Sequence, residues 1–217
     1  MHGLHDRWQG WRRRWQLARL RAPEFTFMFA PPPPNEWVAL DCETTGLNVR
    51  SDEIIAIGAV RIAGQRVLTS ERLELLVRPS GGVSPDSVRV HRLRARDVAD
   101  GLPVQDAVKR LMHFIGSRPL VGYYLEFDVA MLNRVVRPLL GVGLPQPCIE
   151  VSAMYHDYKF RQLPPSHQQG NVDIDLRFAT LMADLSLPTR EAHDALNDAV
   201  MAALAFIKLR QLQPQIN

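Results

Sequence analysis

Apolar residues follow a helical period at the start of the chain and a strand period soon afterwards. Near the amino terminus they recur at steps of three and four, which predicts one face of an amphipathic helix. This face comprises Leu4, Trp8, Trp11, Trp15 and Ala18. The prolines at 31–34 end any helix and predict a polyproline spacer of about 12 Å, at ~3.1 Å per residue. We therefore expect residues 1–34 to be an appendage and residues 35–217 to be the main domain.

The main domain begins with three apolar segments that are typical of strands separated by short turns. They run from Trp37 to Glu43, from Ile54 to Ile62 and from Val67 to Arg78. Strands joined this closely pair with their neighbours in opposite directions, so the pattern predicts an antiparallel three-strand meander.

Beyond residue 100 the pattern alternates between helical stripes and short apolar strands. The predicted elements are a helix over 104–115, a strand over 119–124, a helix over 127–137, a strand or short helix over 149–154, a polar stretch over 157–173, and helices over 174–184 and 194–212. Strands first, and then strands alternating with helices, predict an α/β fold with a mixed sheet flanked by helices.

Composition places the chain among ordinary globular proteins. It has 217 residues, of which 46% are hydrophobic and 23% are charged, and this balance excludes a disordered or collagen-like chain. Its two cysteines, Cys42 and Cys148, are too few for a disulfide framework and form no zinc-binding pair. This cysteine usage favours a reducing compartment, so we expect a cytoplasmic protein. No apolar run is long enough to predict a membrane span, and no secretory signal is expected.

Positive charge is concentrated at the amino terminus. The net charge is +3, but residues 1–22 hold six arginines and one acid, so they carry +5 and leave −2 for the rest of the chain. The basic amphipathic helix is compatible with folding back on its own domain, with docking on a protein partner, or with binding a membrane surface or nucleic acid. Its charge alone therefore assigns no function.

Two carboxylates follow an apolar strand directly. Side chains alternate along a strand, so Asp41 and Glu43 are expected on one face, about 6.6 Å apart along the chain, with Cys42 turned into the core. Two like charges this close are best kept ionised by a cation, and hard oxygen ligands favour Mg²⁺ or Mn²⁺. The pair alone is also compatible with two solvated acids at the end of a strand.

Two further acids lie where helices are expected to begin. Asp128 follows a short apolar strand and opens an apolar helical pattern, where it could serve as a cap. His193 and Asp198 flank the start of the last helix, and they can converge if His193 lies just before that helix with Asp194 as its N-cap. A surface histidine beside a capped helix is the plainer alternative.

Taken in order, these segments resemble the three exonuclease motifs of the DEDD superfamily, in its DEDDh branch. The segments are Asp41-Cys42-Glu43-Thr44-Thr45-Gly46-Leu47, Phe127-Asp128 and His193-x-x-x-x-Asp198. The resemblance covers about residues 36–210, and it is to the group that includes the proofreading epsilon subunit of bacterial DNA polymerase III. It implies a ribonuclease H-like exonuclease fold and a metal-dependent 3′–5′ exonuclease.

The resemblance also implies a role for each residue. The ligands of two divalent ions, Mg²⁺ or Mn²⁺, would be Asp41, Glu43, Asp128 and Asp198. His193 would be the general base, because a histidine can accept a proton from water near neutral pH. The contacts with the terminal nucleotide would come from Thr44, Gly46 and Leu47, and the products would be nucleoside 5′-monophosphates.

Two segments depart from the pattern of the family. Where relatives usually have a His-Asn or similar polar pair before Phe127-Asp128, this chain has Gly122-Tyr123-Tyr124. Tyr123 is therefore expected near the substrate, where it or Tyr124 could stack on a base, although core tyrosines explain the sequence at least as well. The family's His-Gly-Ile segment corresponds to His91-Arg92-Leu93 in this chain. With arginines nearby, His91 is expected to contact backbone phosphates of the substrate, and a solvated surface is the alternative.

The sequence thus favours a 3′–5′ exonuclease that acts on the 3′ ends of single-stranded DNA in proofreading or repair, with residues 1–22 available to a protein partner. The same chemistry on RNA or short oligonucleotides is the main alternative, because no motif here reads a 2′-hydroxyl. A non-catalytic adaptor is a further alternative, and the intact set of four carboxylates and His193 argues against it.

Overall fold

A five-stranded mixed sheet forms the centre of the fold. A computed structural model describes residues 13–81, 93–168, 172–190 and 194–212. Its strands are β1 (Glu36–Thr44), β2 (Ile54–Ala63), β3 (Arg66–Leu76), β4 (Leu120–Gly122) and β5 (Cys148–Glu150), in the order β3-β2-β1-β4-β5. Strands β1, β2 and β3 are antiparallel, whereas β1, β4 and β5 run parallel. The predicted meander and the mixed sheet are both confirmed.

Helices cover both faces of this sheet. They are α1 (Ala95–Val98), α2 (Val104–Ile115), α3 (Leu125–Leu140), α4 (Val151–Gln162), α5 (Phe178–Asp184) and α6 (Ala195–Leu212), and a 3-10 helix covers Pro23–Phe29. The residues predicted as a strand or short helix over 149–154 prove to be both, because β5 passes directly into α4. The predicted polar stretch over 157–173 is wrong in its first part, since α4 continues to residue 162.

Two other predicted boundaries are also wrong, for local reasons. The strand predicted over 119–124 ends at Gly122, because Tyr124 adopts a left-handed backbone conformation that starts α3. The helix predicted from residue 174 begins at Phe178 instead. Before it, the Asp175 carboxylate accepts hydrogen bonds from the backbone N–H of Arg177 and the hydroxyl of Thr180, a local arrangement that competes with helix.

The alternation of β1 divides the core in two. Val38, Leu40 and Cys42 point into a cluster formed with α2 and α3, and the intervening Ala39 points into a second cluster formed with α4, α5 and α6. Cys42 is buried as predicted. Because side chains alternate along a strand, Asp41 is on the α6 face of the sheet.

The segment before β1 is packed against the domain. Phe25, Met28 and Phe29 are buried in the same cluster as β1, and Arg21 donates its backbone N–H to the carbonyl of Leu140. The described part of the expected appendage is therefore folded back on its own domain. Trp8 and Trp11 lie outside the described residues.

None of the described helices has the length and apolar character needed to cross a membrane.

Candidate active site

Carboxylates from the first strand and the last helix meet at one edge of the sheet. Asp41 and Glu43 occupy the end of β1, and Asp198 lies in the first turn of α6. Oxygen atoms of these three side chains lie within 4.8 Å of one another. With Asp128, described below, they form what we call the acidic cluster.

Gly58 allows α6 to approach the sheet beside Asp41. It lies opposite Asp41 in the antiparallel pair of β1 and β2. A Cβ at this position would stand 2.2 Å from the carbonyl carbon of Ala195 and 2.2 Å from the backbone nitrogen of Leu196. Only glycine leaves room for the start of α6 here, and this close approach brings Asp198 to the end of β1.

Asp128 is held against the backbone of β1. It lies in the first turn of α3 and is only 4% exposed. One of its carboxylate oxygens accepts the backbone N–H of Cys42 at 3.1 Å. This hydrogen bond reaches from α3 to the residue between Asp41 and Glu43, so it places the fourth carboxylate beside the other three.

The start of α6 has the capping arrangement that the sequence predicts. The Asp194 side chain accepts the backbone N–H of Asn197 at 2.9 Å, and its carbonyl accepts the N–H of Asp198 at 2.9 Å. Asp194 is therefore the N-cap. His193, which directly precedes it in sequence, lies outside the described residues, as does His91.

Burial and mutual repulsion oppose ionisation of the acidic cluster. Burial is the main cause that raises the pKa of Glu43 to about 7, and the charges of Asp198 and Asp194 add to it. Burial likewise raises the pKa of Asp128 to about 8, against the opposing effect of the Cys42 N–H. The pKa of Asp41 lies well above its ordinary value because of burial and of its carboxylate neighbours, Asp128 first.

These properties fit a divalent cation. A cation among the four side chains offsets both their repulsion and their loss of hydration. The donors at this site are all carboxylate oxygens, the ligand type that Mg²⁺ and Mn²⁺ prefer, whereas structural zinc prefers sulfur and nitrogen. The acidic cluster can therefore hold a divalent metal ion.

The loop between β1 and β2 is tightly organised and carries an exposed leucine. Thr44 donates its hydroxyl to the carbonyl of Gly46 at 2.7 Å, and Asp52 accepts the backbone N–H of Asn48 at 2.7 Å. A Cβ at Gly46 would lie 2.6 Å from a carboxylate oxygen of Asp52, so this loop needs glycine. Leu47 is 86% exposed. The loop thus presents an apolar side chain to solvent four residues after Glu43 in the sequence.

Glu150 organises the turn between β4 and α3, a role that the sequence did not reveal. Its carboxylate accepts the backbone N–H groups of Tyr124 and Leu125, both at 2.9 Å. It also accepts the backbone N–H and the side-chain hydroxyl of Ser152. Tyr124 has φ 54° and ψ 33°, a left-handed conformation that costs a bulky residue about 1–2 kcal/mol. The carboxylate offsets this cost by satisfying both N–H groups.

Tyr123 is packed rather than free. Its hydroxyl donates to the carbonyl of Leu176 at 2.8 Å, and its ring stacks on Phe178. Burial raises the pKa of its phenol, and Tyr124 contributes to the rise. The predicted contact of Tyr123 with substrate stays a prediction, and its hydroxyl and one face of its ring already have protein partners.

Relatives with a similar sequence include proteins named bacterial DNA polymerase III PolC-type and DNA polymerase III subunit epsilon. The chain is 25% identical over 181 residues to DNA polymerase III PolC-type of Thermotoga maritima, a match that covers 83% of this chain and 12% of the relative. It is 24% identical over 174 residues to DNA polymerase III subunit epsilon of Aquifex aeolicus, covering 80% of this chain and 79% of that protein. The chain thus spans about an eighth of the PolC-type relative.

Solved structures with a similar fold are nucleases. The complex of E. coli exonuclease I with single-stranded DNA matches with a TM-score of 0.69 and 16% identity, covering 84% of this chain and 42% of that one. Exonuclease X bound to duplex DNA with a 5′ overhang matches with a TM-score of 0.59 and 23% identity. The match covers 81% of this chain and 91% of the chain of exonuclease X. At these identities the likeness concerns the fold.

The family assignment rests on the sequence over most of the chain. Residues 38–206 match the model of the RNase T exonuclease family. This range runs from β1 to α6 and includes all four members of the acidic cluster. The chain belongs to this exonuclease family, and residues 38–206 are a DEDD-type 3′–5′ exonuclease domain.

Proposed function

We propose that the protein removes nucleotides from the 3′ end of single-stranded DNA in a metal-dependent reaction and releases nucleoside 5′-monophosphates. The observation that carries this proposal is the convergence of Asp41, Glu43 and Asp198, with oxygens within 4.8 Å of one another. A binding module has no need of buried, mutually repelling carboxylates. DNA is favoured as substrate because the relatives are named DNA polymerase III and exonuclease I was solved with single-stranded DNA.

Each candidate residue has a distinct task in this proposal. Two divalent ions, Mg²⁺ or Mn²⁺, supply charge stabilisation at the attacking and leaving oxygens of the phosphodiester when they are bound. The side chains of Asp41, Glu43, Asp128 and Asp198 would hold these ions. The Cys42 N–H orients Asp128. His193 accepts the proton of the attacking water on a ring nitrogen, since its unperturbed pKa of about 6.5 suits this near neutral pH.

The loop after β1 binds the terminal nucleotide in the same proposal. Thr44 and Gly46 approach the sugar and its 3′-hydroxyl, and the exposed Leu47 side chain lies against the last base. A proofreading or repair role, within an assembly that uses residues 1–22 as its contact, is consistent with the polymerase relatives.

The test is a shortening assay with matched variants. Purified protein is incubated with Mg²⁺ or Mn²⁺ and 5′-labelled single-stranded DNA, duplex DNA or RNA. We expect stepwise shortening of single-stranded DNA by the wild-type protein, loss of at least about a hundredfold in Asp41→Ala and His193→Ala, and no loss in Asp157→Asn, which alters an exposed acid on α4.

Three results would change the proposal. Faster shortening of RNA than of DNA would assign the enzyme to RNA. Shortening that persists in Asp41→Ala would place the chemistry elsewhere. No shortening of any substrate would favour a non-catalytic adaptor.

A further inference from the structure

Three aromatic rings contact one another in a row, here called the ladder, that ends at the start of α3. Phe178, the first residue of α5, stacks on Tyr123 with ring centroids 4.5 Å apart and planes 24° from parallel. Tyr123 in turn contacts Tyr124, with centroids 4.5 Å apart and planes tilted by 50°. The ladder ends in solvent, because Tyr124 is 57% exposed.

Only the outer ring of the ladder is placed to meet a ligand. Tyr123 is partly buried, its ring contacts both Phe178 and Tyr124, and its hydroxyl donates to the carbonyl of Leu176. Tyr124 has one ring neighbour in the ladder and an exposed surface beyond it. Tyr124 is therefore the ring of the three that offers the most open surface to a planar group approaching from solvent.

The position of Tyr124 in the fold brings it close to the acidic cluster. It follows β4, whose carboxyl end lies beside β1, and a Cβ at Gly122 would be 3.0 Å from the carbonyl oxygen of Leu40. It also precedes Asp128 by one turn of α3, about 6 Å along the helix axis. The exposed ring and the carboxylates thus share one edge of the sheet.

The backbone of Tyr124 is fixed before any ligand arrives. One carboxylate oxygen of Glu150 accepts the N–H of Tyr124 and the other accepts the N–H of Leu125, both at 2.9 Å. These bonds hold the left-handed turn and with it the direction in which the side chain leaves the surface. Because the backbone of Tyr124 is already ordered, little backbone freedom is lost when a second ring stacks on its side chain.

We propose that Tyr124 stacks on a base of the strand whose 3′ end lies in the acidic cluster, so that the base extends the ladder of Phe178 and Tyr123 by one ring. The inference rests on the proposed nuclease function. Every base has a face that can stack on an aromatic ring, so this contact adds affinity without selecting a sequence. Its ligand is a single-stranded nucleic acid near its 3′ end.

The experiment compares ordinary and abasic substrates. A set of 5′-labelled single-stranded DNA oligonucleotides carries one abasic nucleotide at the first, second, third or fourth position from the 3′ end. For the ordinary oligonucleotide, we expect Tyr124→Ala to raise KM by about 5- to 150-fold, the range of stacking on one base, with kcat little changed. One oligonucleotide of the set lacks the base that stacks on Tyr124. For that oligonucleotide we expect wild-type and Tyr124→Ala protein to have the same KM, because the wild-type protein has lost the same contact.

Further variants separate the ring from the turn that carries it. Tyr124→Phe keeps the ring and is expected to match the wild-type protein. Tyr124→Asn removes the ring but suits the left-handed backbone, so it should fold and behave like Tyr124→Ala. Trp15→Ala, which removes an exposed ring that is not part of the ladder, should change nothing.

The outcomes distinguish this inference from the proposed function. The stacking is overturned if Tyr124→Ala and Tyr124→Asn raise KM above the wild-type value by the same factor on every abasic oligonucleotide. It is also overturned if neither variant raises KM on the ordinary oligonucleotide. A wild-type protein that shortens no substrate overturns the nuclease function. In that case the same pattern is measured as binding of the oligonucleotides by fluorescence anisotropy, and equal affinities for wild-type and Tyr124→Ala protein overturn the stacking independently.

Discussion

Gly58 lies directly against the backbone of Ala195, so that the second strand and the last helix touch without a side chain between them. The same contact brings Asp198 to Asp41, which pairs with Gly58 across the sheet. The geometry of the acidic cluster therefore depends on a residue that carries no functional group.

Gly58→Ala is expected to impair the site through this contact. The added methyl group displaces the start of α6, at a cost of about 1–3 kcal/mol in the free energy of unfolding, and moves Asp198 away from Asp41. Chemical denaturation measures the first effect and the shortening assay the second. Gly81→Ala is the matched control, since its Cβ would meet a Glu53 oxygen at an ordinary 3.5 Å. A Gly58→Ala protein with wild-type activity would show that α6 is placed by other contacts.

The metal-free protein is expected to lose stability as the pH rises. The carboxyls of Glu43 and Asp128 have pKa values of about 7 and 8 in the folded chain, against ordinary values of 4.5 and 3.8. A raised pKa favours the folded state while the group stays protonated, so this contribution is fully present below about pH 4 and is lost as the pH passes 7 to 8. Thermal unfolding in EDTA between pH 5 and 9 measures this.

Divalent metal is expected to reverse this loss. At a hundredfold excess of Mg²⁺ or Mn²⁺ over its dissociation constant, binding to the folded state adds about 2.7 kcal/mol. The metal displaces protons from the carboxyls, so its apparent affinity is greater at pH 8.5 than at pH 5.5. Asp128→Asn should flatten the pH dependence in EDTA. Equal stabilisation by the metal at both pH values would contradict the linkage.

Glu150→Gln is expected to destabilise the turn before α3. The amide nitrogen of glutamine cannot accept an N–H, so either Tyr124 or Leu125 loses its partner, at a cost of about 1–3 kcal/mol. Urea unfolding measures the change, and Glu126→Gln, on the exposed face of α3, is its control. Identical unfolding curves for the two variants would show that the turn is held without the carboxylate.

Truncation is expected to separate the two parts of the amino-terminal segment. Removal of residues 1–12 takes away no described core residue and should leave turnover on short oligonucleotides unchanged. Removal of residues 1–34 also removes Phe25, Met28 and Phe29, and the loss of one such buried side chain typically costs about 2–5 kcal/mol. We expect this shorter chain to be insoluble or unfolded, as judged by solubility and circular dichroism. A folded, active 35–217 protein would show that the segment is dispensable for the core.

The sequence predicts the parts of the site that follow from local patterns. The alternation in β1 places Asp41 and Glu43 on one face with Cys42 buried, and Asp194 is recognisable as a cap from its place before an apolar helix. What the sequence could not supply depends on contacts between distant segments. The role of Gly58 depends on its contact with the start of α6, which the strand sequence does not show. The role of Glu150 depends on its hydrogen bond to the backbone of Tyr124, which lies on another segment.

The acidic cluster draws its ligands from β1, near one end of the chain, and from α6, near the other. A cation bound there links β1 to α6. Opening of the first turns of α6 then requires release of the ion. Amide hydrogens in that part of α6 should accordingly exchange with solvent more slowly when the site is loaded, while those in the middle of β2 report only global unfolding.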